Sequence, residues 1–172
     1  MFFNYELGIK EIAIEKQKIN HREAIRAVIF KDNNLLMVHT NKGDYKFPGG
    51  GANKEESHKE TLVREVKEET GYIINEVKNK IGIVIERNLD SYEENAIFEM
   101  VSSYYLCELS DDKTAQNLDE YEAELDFKPT WITIEEAICL NEEVLKRDKT
   151  HINDWVYRET TVLKALKEYL YI

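Results

Sequence analysis

The sequence predicts a mixed α/β fold, and three observations carry that expectation. Segments rich in β-branched and aromatic residues, "AIRAVIF", "LLMVHT", "KIGIVIER" and "AIFEMVSSYYLCEL", read as strands. Three other segments carry helix caps or apolar positions at helical spacing. The joins are hairpins rather than regular strand–helix–strand units, so the sheet is expected to be mixed, in an α/β or α+β arrangement.

Taken in order, "AIRAVIF", the polar "KDNN" and "LLMVHT" form a strand–turn–strand hairpin. The first helix starts at Ser57, whose hydroxyl caps free amides while Glu60, three residues on, completes a capping box. It stops at Gly71, which suits the left-handed position past a helix end. "KIGIVIER" and "AIFEMVSSYYLCEL" follow as strands joined by the polar "NLDSYEEN". The acidic, patternless "SDDKTAQNLDEYEAELDFKP" is expected as a surface loop. A second helix follows Thr133, where Glu136 repeats the capping-box spacing. A third covers about residues 153–170, with Val156, Leu163, Leu166 and Leu170 as its apolar stripe.

A length of 172 residues suggests a single domain over residues 1–172, with its core at about 23–145. A net charge of −11 argues against a sequence-independent nucleic-acid binder, which needs a basic stripe. It leaves room for a small anionic substrate, provided a local device such as a metal ion overcomes the field. No apolar run approaches the ~20 residues that span a bilayer. The first residues lack the basic-then-apolar layout of a signal peptide, so cytoplasm is the default expectation, without a membrane partner. Cys107 and Cys139 make no disulfide framework and are expected as buried packing residues.

The first helix breaks a local rule. Leu62, Val63, Val66 and Thr70 share one side, while Glu65, Glu68 and Glu69 form a second stripe. Like charges at these spacings, and anions in a last helical turn, together cost on the order of 1–2 kcal/mol. Arg64, four residues before Glu68, offsets part of it. A solvated charged face is one explanation. The other is a hard divalent cation, which takes oxygen ligands and turns the cluster into a site. The glycines of "FPGGGANKEE", just upstream, allow bare backbone to approach such a site, so that a carbonyl could add a neutral ligand.

Gly50, Glu56 and the run Arg64-Glu65-Val66-Lys67-Glu68-Glu69-Thr70-Gly71 match the Nudix box, GX5EX7REUXEEXGU, with Tyr72 in a final slot that is usually aliphatic. "DYKFPGG" upstream and "TWITIEEAI" downstream are similar to that family's flanking segments. The chain therefore resembles a Nudix (MutT-like) hydrolase. The resemblance implies an α/β/α sandwich around a mixed sheet, and hydrolysis of a nucleoside diphosphate linked to another group. It implies Mg²⁺ or Mn²⁺ held by Glu65, Glu68 and Glu69, with the Gly49 carbonyl joining them. Arg64 would orient the carboxylates and Glu56 would support the loop–helix junction. Glu65 or Glu69 would be the general base, or a glutamate from the acidic loop, Glu122 or Glu124.

Substrate selection is less legible. Arg26 is a candidate for a terminal phosphate or a solvent-facing strand residue, and Tyr45 a candidate for stacking on a base. Phe47 reads as core and Trp131 as packing. Trp155, Arg158 and Glu159 could line the cleft or a homodimer contact. The resemblance, by elimination of the signatures of other subclasses, gives a nucleoside triphosphate, oxidised or not, as first substrate. Nucleotide sugars, dinucleoside polyphosphates and a non-catalytic nucleotide sensor are the alternatives.

Overall fold

Asp32 and Asn33, the two residues between the first hairpin strands, both take positive φ (49° and 63°). That conformation suits a tight hairpin turn, and Asp and Asn tolerate it because their short side chains bond locally. The computed structural model describes residues 1–10 and 17–170. Its elements are β1 Phe3–Gly8, β2 Lys18–Val28, β3 Phe30–Lys31, β4 Asn34–His39, β5 Tyr45–Lys46, β6 Gly49–Gly51, α1 His58–Thr70, β7 Tyr72–Leu89, β8 Ala96–Lys113, α2 Glu120–Glu124, β9 Lys128–Ile132, α3 Ile134–Leu145 and α4 Val156–Leu170.

A five-stranded mixed sheet runs in the order β1-β7-β8-β2-β6, and β4 pairs with β3, β5 and β9 in a second sheet. The β1–β7 and β2–β8 pairs are parallel, and β7–β8 is an antiparallel hairpin. Alternation along β2 divides the core between the two faces. Ile25, Ala27 and Ile29 pack with Leu62 and Val66 of α1. Val28 packs with Tyr104 and with Ile134, Ala137, Val162 and Leu163 of α3 and α4. Helices on both faces of a mixed sheet make the expected α/β/α sandwich.

Local chemistry sets the helix ends where the sequence placed them. Ser57 and Glu60 form a reciprocal capping box at the start of α1, and Gly71 ends it in the left-handed conformation (φ 72°). Thr133 and Glu136 do the same for α3. Several expectations need correction. The N-terminal residues add β1, and "KIGIVIER" is only the second half of β7. The acidic loop is partly ordered structure, since its first residues extend β8 and others form α2 and start β9. Leu170, the last residue of α4, is half exposed, and Cys139 is exposed whereas Cys107 is buried. No described helix is long and apolar enough to cross a membrane.

Candidate active site

Glycine at positions 49–51 lets the loop run as β6, antiparallel to β2 and close beneath α1. A Cβ on Gly50 would stand 2.3 Å from Glu65 Oε2, and one on Gly49 would stand 2.1 Å from the Ile25 carbonyl oxygen. The bare backbone is therefore what lets the acidic face of α1 reach the loop.

Glu65 and Glu69 point into this contact. Glu69 is 1% exposed, and its Oε2 accepts the Gly49 N–H at 2.9 Å. Its Oε1 accepts from the buried ammonium of Lys46. Burial pushes the Glu69 carboxyl up and the Lys46 amine down from their ordinary values, each opposed by the other's charge. Burial also raises Glu65, opposed by Arg64. Arg64 gathers the other acids. It donates through Nε and Nη2 to Glu56 at 2.8 and 2.7 Å, and through Nη1 to Glu65 at 2.5 Å and Glu68 at 3.3 Å. This guanidinium holds Glu56 down at about 2.

A third carboxylate arrives from α2. Thr114 donates its N–H to the Gly71 carbonyl, Asn117 to that of Glu68, and the Gln116 amide to that of Glu69 at 2.6 Å. These bonds satisfy the open carbonyls at the end of α1 and lay the following chain across it. Glu122 is thereby buried, with Oε2 accepting the Asp119 N–H at 2.9 Å and Oε1 the Tyr121 hydroxyl at 3.1 Å. One oxygen each from Glu65, Glu69 and Glu122 lies within 4.8 Å of the others.

The structure brings together Glu65, Glu69, Glu122, Arg64, Arg26 and Gly49. Arg26 is buried rather than solvent-facing, and its Nη1 donates to the Gly49 carbonyl. Glu68 borders the group through Arg64, at its more exposed edge. Glu124 is exposed and lies outside the cluster. Tyr45 is not brought to the carboxylates. It sits beside His39, with ring centroids 4.7 Å apart, and its backbone bonds Asn141. On a strand its side chain points away from the face that Lys46 uses. Arg158 and Glu159 are buried in a network with Glu86 and Phe47, so they form neither a cleft wall nor a surface contact.

Sequence reasoning missed Lys46 and Gln116. Lys46 had one signal, a lone cation between two aromatic residues in "DYKFP". A cavity of about 860 Å³, lined by Lys59, Val63, Lys67 and Asn117 among others, meets the acidic group through Arg64 and Glu68, and none of Glu65, Glu69 and Glu122 lines it.

Three carboxylates meeting at one point, fixed by backbone and cationic donors, form an oxygen-only donor set that fits Mg²⁺ or Mn²⁺. The family comparison agrees with this geometry. The NUDIX domain model matches residues 20–156, and the chain belongs to that family. An ADP-ribose pyrophosphatase of Methanocaldococcus jannaschii is 39% identical over 64 residues, which are 35% of this chain and 37% of that protein's length. Among solved structures, a NUDIX hydrolase from Nitrosomonas europaea superposes with a TM-score of 0.58 at 18% identity, over 87% of this chain and 88% of the other. A UDP-X diphosphatase gives 0.51 at 19%, over 74% of this chain and 64% of the other. These two likenesses establish the fold.

Proposed function

We propose that the protein hydrolyses a phosphoanhydride bond in a nucleoside diphosphate linked to another group, using a divalent cation, Mg²⁺ or Mn²⁺. The convergence of Glu65, Glu69 and Glu122 within 4.8 Å, beside two buried cations, carries this reading. A divalent ion held there neutralises phosphate charge and lowers the pKa of a water. The chain's own groups do the rest. Glu69 is fixed by Lys46 and Gly49, Glu122 by its own cap and Tyr121, and Glu65 by Arg64, so the donors are oriented before anything binds. The proton acceptor is one of these three carboxylates. Glu124, exposed and outside the cluster, is dropped from that role. Arg26 supplies positive charge for a phosphate.

The group linked to the nucleoside diphosphate has two candidates. A third phosphate is one reading. The stretch shared with an ADP-ribose pyrophosphatase favours a sugar as the other. The test is product identification from nucleoside triphosphates, nucleotide sugars and dinucleoside polyphosphates with Mg²⁺. Turnover of one class that falls about 100-fold or more in Glu69→Gln supports the reading. Undiminished turnover in that variant rejects it.

A further inference from the structure

Two buried cations stand beside the carboxylates with hydrogen-bonding capacity unspent. Lys46 is 3% exposed and Arg26 7%. An ammonium carries three N–H donors, yet among the described residues only Glu69 accepts from Lys46. The Phe127 ring covers another side, its centroid 4.8 Å from Nζ. Arg26 donates to the Gly49 carbonyl through Nη1, while its buried Nε has no partner. Buried donors without acceptors are costly. Donors on paired cations fit an anion with several acceptor oxygens, as a phosphate has.

Charge balance points the same way. Arg64 pairs with Glu56, Glu65 and Glu68, and Lys46 with Glu69, so Lys46 and Arg26 are two further buried cations beside the group of Glu65, Glu69 and Glu122. A divalent ion placed on the three carboxylates meets those two cations at close range. An anionic ligand between ion and cations relieves the repulsion.

We propose that Lys46, together with Arg26, binds a phosphoryl oxygen of the substrate, and that its ion pair with Glu69 makes divalent-ion and phosphate binding mutually dependent. The proposal rests on the function assigned above and adds a residue to it. In free protein Lys46 competes for Glu69, so metal alone binds weakly. With phosphate present the ammonium transfers part of its bonding to the ligand, and Glu69 is released to the ion. Coupling of this kind is reciprocal and typically spans 5–150-fold.

The experiment measures Mn²⁺ binding by the electron paramagnetic resonance signal of the free ion, with and without inorganic phosphate, in wild type and K46M. K46Q serves as a second neutral variant, and circular dichroism selects the one that keeps the native fold. Phosphate is expected to tighten Mn²⁺ about tenfold in the wild type. The neutral variant is expected to bind Mn²⁺ alone several-fold more tightly than wild type, with the phosphate effect reduced to about threefold or less. Equal Mn²⁺ affinity and equal coupling in both proteins would overturn the role of Lys46 while leaving the functional assignment standing. Failure of wild type to bind Mn²⁺ under either condition would overturn the assignment itself.

Discussion

Glu159 Oε2 accepts the Phe47 N–H at 3.0 Å across a sequence separation of 112 residues. The same helix region holds Asp44, which accepts from Asn153 Nδ2 and Trp155 Nε1, each at 2.8 Å. The C-terminal helix thus fixes residues 44–47, and with them the backbone that presents Lys46 and Gly49. Glu159 in turn is held by Arg158, which also reaches Glu86 at 3.0 Å.

Removing Glu159 leaves a buried guanidinium short of a partner. Glu159→Ala is expected to destabilise the fold by about 3–5 kcal/mol, as for a broken buried pair. Glu159→Gln retains one carbonyl acceptor for Phe47 and loses less. Urea unfolding followed by tryptophan fluorescence measures both. Equal stability in Glu159→Ala and wild type would show that α4 does not brace the loop.

The glycine loop separates stability from activity. At Gly49, with φ 136°, a Cβ meets the Ile25 backbone, so Gly49→Ala is expected to impair folding. At Gly50 the nearest atoms to the Cβ are those at the far end of Glu65, which can swing aside. Gly50→Ala is therefore expected to keep its thermal midpoint within a few degrees and to lose about 10–100-fold in turnover through the displaced carboxylate. Parallel melting and rate measurements check the pair. Full activity in Gly50→Ala would mean that Glu65 acts from elsewhere.

Acid should weaken the Arg64 cluster. Glu56 ordinarily titrates near 4.5, and Arg64 lowers it to about 2 in the folded chain. A depressed carboxyl stabilises the fold above its unfolded value, and that contribution fades as pH falls through the folded value. Wild type should be more stable than Glu56→Gln at neutral pH, and the gap should close between about pH 5 and pH 2. Denaturant midpoints across that range test it. A gap independent of pH would remove the ion pair as its cause.

What the sequence disclosed follows the range of the forces involved. Ser57 with Glu60, Thr133 with Glu136, and Gly71 act within a few residues, and their signals are local. β1 has no such signal. It exists because Phe3 packs where Gly82 of β7 has no side chain, and its partner is remote in sequence. Glu65 and Glu69 stood out by breaking helix rules; Arg64 of the same helix pairs with Glu65, but the Lys46 that pairs with Glu69 lies on β5. Between Glu122 and Glu124 one local signal existed, since Asp119 and Glu122 have capping-box spacing and form that box at the start of α2. The bonds from Gln116 and Asn117 to the end of α1, which bring this segment to the site, act over a longer range. The side chains of Tyr45 and Lys46 obey a related rule, because one residue of strand register moves a side chain to the opposite face.

The most direct measurement is anomalous diffraction at the manganese edge from crystals grown with Mn²⁺ and a non-hydrolysable nucleotide. The account predicts a peak in contact with carboxylate oxygens of Glu65, Glu69 and Glu122, with the nucleotide's phosphates on its far side. Bound nucleotide with no manganese at those three residues would contradict it.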